Sequence, residues 1–177
     1  MSKVLCHIAA ALASSLSLSV AAAPAVAKSE TLQCQDRSIV LEASCFALIS
    51  PLRLSCGSQR LTVSDAGGKV LKVREFASMK VQGGASVVPE QFGEIACVTT
   101  KGGGKFIVAD MDNGGNCDEC EWSEVYDWNG APLGSNRDKQ SKTPVVKEAL
   151  EAAVGKNGGR VIAKTDLPGF YLQQEKK

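Results

Sequence analysis

Apolar and polar positions alternate along most of this chain, and helical spacing is rare. Short runs rich in branched side chains recur at 39–41, 52–54, 61–63 and 70–73, and Gly or Ser clusters separate many of them. That is the pattern of half-buried strands joined by turns. Residues 94–100 and 105–110 flank Lys101-Gly102-Gly103-Gly104, which predicts a hairpin around a flexible turn. The Gly-Gly-Gly-Lys run ending at Lys105 is not read as a phosphate loop. Phe106 stands where such a loop needs Ser or Thr, and strand-like segments lie on both sides.

One stretch follows the other period. Thr143 suits an N-cap, Pro144 suits the first helical turn, and Gly155 suits the stop. Val146, Leu150, Ala153 and Val154 share a face between them, predicting an amphipathic helix of about three turns that covers a sheet. A strand is expected at 160–164, and Gly169 to Leu172 should pack last.

A weak internal repeat is also present. Residues 61–71 align without gaps on residues 123–133, with Val63 on Val125, Asp65 on Asp127, Gly68 on Gly130 and Leu71 on Leu133. Both copies read as strand, Asp-led turn with a left-handed glycine, then strand. There is no third copy, which argues against a propeller or solenoid.

The first residues change the chemistry that is open. Lys3 precedes a moderately apolar run from Ile8 to Val20, and Ala25-Val26-Ala27 offers small residues for cleavage. This reads as a signal peptide over residues 1–27, leaving a single β-rich domain over 28–177 in the periplasm or secreted. No later segment approaches membrane-spanning length. Cys6 and the sole histidine, His7, would leave with the peptide. Six cysteines remain: Cys34, Cys45, Cys56, Cys97, Cys117 and Cys120. In an exported chain they imply disulfides, with fifteen pairings open. The even spacing of Cys34, Cys45 and Cys56 lacks a companion histidine, so bridges are favoured over zinc. Without imidazole, Ser-His-Asp and Cys-His relays are closed.

Charge is informative in its distribution. The mature chain is neutral, which gives no reason to expect nucleic acid. Residues 106–131, however, carry seven Asp and Glu and no Lys or Arg. Such a block attracts a cationic partner.

That block holds the candidate chemistry, and it supports three readings. Cys117-Asp118-Glu119-Cys120 has the spacing of a thiol-disulfide oxidoreductase. It follows a strand, though, and two carboxylates between the cysteines disfavour a thiolate. Asp110, Asp112, Asn116, Asp118 and Glu121 fall at positions one, three, seven, nine and twelve of a calcium loop, with Gly115 at six. Position five is Gly114, and no helix precedes it. The third reading is a contact surface. Alternation places Trp122, Glu124, Tyr126 and Trp128 on one side of a strand and Val125 on the other. Because Val125 aligns with Val63, which shares its side with Leu61 and reads as inward, the repeat turns the aromatic side outward, where Trp and Tyr beside carboxylates anchor a partner. Burial in the core is the plainer alternative for three large aromatics.

The fold expected is mainly β: an antiparallel sandwich or curled sheet with one C-terminal α-helix, stabilised by disulfides. The function expected is an exported, non-catalytic binding module for a cationic protein, such as a secreted hydrolase that it restrains. Its surface would use Trp122, Tyr126, Trp128, Asp118, Glu119, Glu121 and Glu124, with no cofactor. A thiol-disulfide oxidoreductase and a calcium-binding extracellular module are the alternatives.

Overall fold

The structure, a computed structural model, describes residues 24–48, 54–115, 117, 119–137, 143–167 and 169–172. Four strands, β1 (Val26–Cys34), β2 (Arg37–Ala47), β3 (Leu54–Asp65) and β4 (Val70–Glu75), form an antiparallel meander. A short hairpin of β5 (Met79–Lys80) and β6 (Ser86–Val87) leads to a second sheet. This contains β7 (Gln91–Thr99), β8 (Lys105–Asp112), β9 (Glu121–Asp127), β10 (Pro132–Ser135) and β11 (Arg160–Asp166), in the order β10-β9-β8-β7-β11. The helix α1 (Pro144–Ala153) precedes β11. The mainly β, antiparallel, disulfide-bonded fold expected from the sequence is therefore present.

Alternation explains the first sheet. In β2, Ile39, Leu41, Ala43 and Cys45 are buried, while the residues between them are only partly covered. In β3 the inward set changes parity, from Leu61, Val63 and Gln59 to Cys56 and Leu54. The change occurs at a bulge: Ser44 pairs with Ser58, but Cys45 pairs with Cys56, leaving Gly57 as the extra residue. The bulge thus sets Cys56 opposite Cys45, and the two are bridged. A side chain at Gly57 would press on the Phe46 ring at 3.3 Å.

The second sheet lies in the middle of three layers. One of its faces supplies Phe92, Ile95, Cys97, Ile107, Met111, Trp122 and Tyr126 to a core shared with the first sheet. Its other face packs Ala96, Val98, Val108 and Val125 against Val146, Ala149 and Ala152 of α1. Cys34 of β1 and Cys97 of β7 bridge the two sheets through the shared core. A buried polar network closes one end of it. The Tyr171 hydroxyl donates to Gln59 Oε1 at 2.6 Å and accepts from the Phe92 amide at 3.0 Å.

The helix begins where expected, with the Thr143 side chain accepting from the Val146 amide. Its buried stripe differs slightly, running through Val146, Ala149 and Ala152, while Val154 is 67 % exposed. Small alanines let the helix lie close on the sheet, and Val154 belongs to the cap rather than to a helical turn.

The repeat corresponds to one turn built twice. Asp65 Oδ1 accepts from the Gly67 and Lys69 amides, and Asp127 Oδ1 accepts from the Asn129 and Ala131 amides. Gly68 and Gly130 both take positive φ, +81° and +87°, as the glycine bulge of a three-residue hairpin loop requires. Thr100 to Gly104 and Val81 to Ala85 repeat the same backbone bonds without the aspartate. The turn is a shared local solution, and the side chains around it diverge.

Strand β1 begins two residues before the expected cleavage position, with Val26 opposite Cys45 and Ala27 opposite Ser44. Residues 1–23, and the segment 52–53 of an expected strand, lie outside the described residues.

The bridges should contribute unequally, because stabilisation grows with the loop that a bridge closes. Cys34–Cys97 spans a separation of 63 and Cys117–Cys120 a separation of 3. Replacing the first pair by alanine should cost about 4 kcal/mol in urea unfolding, and replacing the second pair less than that. Equal losses would show that the inter-sheet bridge does not act by restricting the unfolded chain.

Candidate functional site: an acidic sheet face

The second sheet has two faces to cover, and α1 covers only part of one. A ten-residue helix is about 15 Å long and about 10 Å wide, whereas an eight-residue strand such as β8 runs about 27 Å. On the helix side of β8, Phe106 and Val108 pack against α1, and the next two positions are Asp110 and Asp112. On β7, Val98 and Ala96 give way to Glu94; on β9, Val125 gives way to Ser123 and Glu121. The register aligns the change. Ala96 is opposite Val108, Glu94 is opposite Asp110, Asp110 is opposite Ser123, and Asp112 is opposite Glu121. Three strands therefore turn from apolar to polar at one level, Glu94–Asp110–Ser123, and Asp112 and Glu121 add carboxylates one pair further on, beyond the cover of the helix.

The result is an open concavity of about 510 Å³ lined by Glu94, Asp110, Asp112, Glu121, Ser123 and Asn136. Lys164 of β11 bonds Glu94 at 2.7 Å and lies 3.8 Å from Asp166. The pairing with Glu94 raises the Lys164 pKa above the usual lysine value. The Ser123 hydroxyl donates to Asp110 at 2.6 Å, and the Asn136 side chain accepts from the Ser123 amide at 2.8 Å. These bonds hold side chains in place but leave the face negative: five carboxylates, counting Asp166, stand against Lys164 and against Arg137, which lies over Trp122 at the margin of the concavity. Such a surface concentrates cations and suits lysine and arginine side chains.

The aromatic side of β9 is placed differently from the outward expectation. Trp122 and Tyr126 are 5 % and 1 % exposed and belong to the core between the sheets, and Trp128 is partly buried against that core. The repeat misled because Val63 and Val125 face different cores: Val63 meets the inter-sheet core, and Val125 meets the helix. In a sheet covered on both faces, an inward valine does not imply an outward neighbour. The polar atoms of these aromatics are satisfied internally. Trp128 Nε1 donates to Asp36 at 3.0 Å, a bond that lowers the Asp36 pKa. The Arg137 guanidinium lies 4.3 Å over the Trp122 ring.

Glu124 also turns inward. It sits between the sheets with Arg74 of β4 and Tyr126, the Arg74 guanidinium bonding both partners and the Tyr126 hydroxyl donating to Glu124 at 2.5 Å. Burial pushes the Glu124 carboxyl up, but the hydrogen bonds from Arg74 and Tyr126 outweigh it, leaving the pKa below the usual value. Burial and the adjacent Glu124 charge raise the Tyr126 phenol, which stays neutral. This is a structural clasp between sheets rather than part of the acidic face.

Of the other expected residues, Glu121 lines the concavity, Glu119 is exposed in the β8–β9 loop, and Asn116 and Asp118 lie outside the described residues. Of the residues spaced as a calcium loop, Asp110 and Asp112 are strand residues of β8 and Glu121 opens β9. Among the described residues no group of three Asp, Glu, Cys or His is arranged to hold a metal. Cys117 and Cys120 are bridged, as are Cys34–Cys97 and Cys45–Cys56. The Cys117–Cys120 pair caps the β8–β9 hairpin and does not open a helix. No described helix is long and apolar enough to cross a membrane.

Sequence reasoning missed Glu94, Asp166, Lys164 and Asn136, which reach the face only through strand pairing and turn bonding. The accessible signal was the repeated switch from apolar to acidic at alternate positions, plainest in Phe106, Val108, Asp110 and Asp112. No protein family model, curated protein or solved structure matches the chain. The fold and the site define it as a disulfide-bonded β protein built on a four-stranded and a five-stranded antiparallel sheet, with a helix on one outer face and an acidic surface beside that helix.

The inter-sheet clasp makes a pH prediction. A carboxyl whose folded pKa lies below its unfolded value contributes stability above the ordinary carboxylate range and loses it as pH falls through the folded value. Glu124→Gln should therefore cost about 2 kcal/mol at neutral pH, where Arg74 loses its charged partner. The gap to the parent protein should narrow as pH falls below the ordinary glutamate range. Urea unfolding across that range measures this, and a gap independent of pH would remove Glu124 ionisation as the cause.

Proposed function

We propose that this protein is an exported binding module without catalytic activity, and that the acidic half-face of its second sheet docks a cationic protein. The supporting observation is the coincidence of Glu94, Asp110, Asp112 and Glu121 around one open concavity on three paired strands. Carboxylates carried on strands rather than on a loose tail keep a constant spacing, which favours direct pairing with lysine and arginine side chains over a diffuse counterion cloud. Export is supported by the N-terminal sequence pattern and fits the three disulfides. The aromatic residues of β9 act in this reading as the support beneath the face. Trp122 and Tyr126 anchor β9 to the first sheet, and their neighbours Glu121 and Ser123 point to the other side.

The test begins with capture of binding proteins from the exported fraction, followed by affinity measurement with the purified partner. The triple variant Asp110→Asn, Asp112→Asn, Glu121→Gln should weaken binding at least about tenfold, with the loss largest at low salt. Glu148→Gln, on the exposed side of α1, should bind as the parent does. A partner that is not basic, or one that holds the triple variant at parental affinity, would defeat the reading.

A further inference from the structure

Two of the three bridges are sealed: Cys34, Cys45, Cys56 and Cys97 are at most 1 % exposed. The third is open on one side. Cys117 is exposed while Cys120 is buried at 5 %. Cys117 is therefore the one bridged cysteine that is an exposed residue, and the other five are buried.

The position of the bridge matters as much as its exposure. Asp112 and Glu121 are the last residue pair joining β8 to β9, and both line the acidic concavity. Cys120 immediately precedes Glu121. Its carbonyl accepts from the Asn113 amide at 3.1 Å, and its amide donates to the Cys117 carbonyl at 3.0 Å. Gly115 lies so close to Cys120 that an added Cβ would collide with Sγ. The hairpin end is thus closed by backbone bonds at Cys120, with Gly115 packed against the Cys120 sulfur.

We propose that Cys117–Cys120 is a reducible clasp that holds Asp112 and Glu121 side by side, placing the acidic face under thiol control. This rests on the acidic face being the binding site. The reductant is a dithiol. Its thiolate attacks the accessible Cys117 sulfur, the Cys117–Cys120 bond breaks, and the Cys120 sulfur leaves with the electron pair and takes up a proton. The second thiol of the reductant then attacks the mixed disulfide, releasing Cys117 as a thiol and leaving the reductant oxidised. Two electrons and two protons pass to the protein. Because the bridge closes a separation of only 3, opening it loosens the hairpin end without undoing the sandwich.

The experiment uses dithiothreitol as the dithiol, iodoacetamide to trap free thiols, amide hydrogen exchange, and a ten-residue lysine peptide as the cationic probe. Brief reduction should label Cys117 and Cys120 alone, speed exchange at Asn113 and Cys120 at least tenfold, and weaken peptide binding at least fivefold. The double variant Cys117→Ala, Cys120→Ala should reproduce the exchange and binding changes without reductant. Labelling of the buried cysteines at the same rate, or unchanged exchange at the hairpin end, overturns the clasp. Equal peptide affinity before and after reduction overturns it as well, and leaves the acidic face standing. An oxidised protein that does not bind the peptide at all overturns the acidic face, and control of that site falls with it.

Discussion

The structure turns on the partial cover of its central sheet. A sheet with apolar side chains on both faces must bury both, and here the first sheet packs over one face. The other face has a single helix of three turns. Where α1 lies, Ala96, Val98, Val108 and Val125 are apolar and buried. Beyond its reach the same strands carry Glu94, Asp110, Ser123 and Glu121, which water can solvate. The acidic face is thus the remainder left by a short helix on long strands, and its rigidity comes from the ladder beneath it.

The two sheets are joined by chemically different ties spread across the molecule. Cys34–Cys97 crosses the core covalently. Arg74, Glu124 and Tyr126 join β4 to β9 through a charged cluster, with the guanidinium also lying 4.5 Å over the Phe76 ring. Gln59 and Tyr171 tie β3 to the chain after β11 through a fully satisfied buried pair. Charged and polar groups between sheets are tolerable because each has a partner; removing one would leave another buried without compensation. A sandwich fastened in this way holds β8 and β9 in its central sheet, with the hairpin end closed by its own small bridge.

Much of the backbone was legible from short-range pattern. The Thr143-Pro144 start of α1, the hairpin around Gly102 to Gly104, and the paired Asp-Gly turns at 65–68 and 127–130 rest on local dihedral preference and local hydrogen bonding. Nearby residues decide such features. The direction of Trp122 and Tyr126 was not legible in the same way. Alternation separates two sides of a strand but does not say what covers each, and β9 has a core on both. The role of Glu124 was hidden for a similar reason, since its partner Arg74 lies fifty residues earlier, on the edge strand of the other sheet.

From composition and order alone follow the strand-rich class, the single helix, the turn chemistry, and the concentration of seven carboxylates with no basic residue between 106 and 131. The tertiary structure decided which of those carboxylates share a surface. It sent Glu124 inward and kept Asp110, Asp112 and Glu121 outward, and it added Glu94 through the β7–β8 register. It also chose three cysteine pairs among fifteen. The physical reason is the same in each case: side-chain periodicity is a property of one strand, whereas burial, pairing and charge clustering depend on which strands lie side by side and on what is stacked above them.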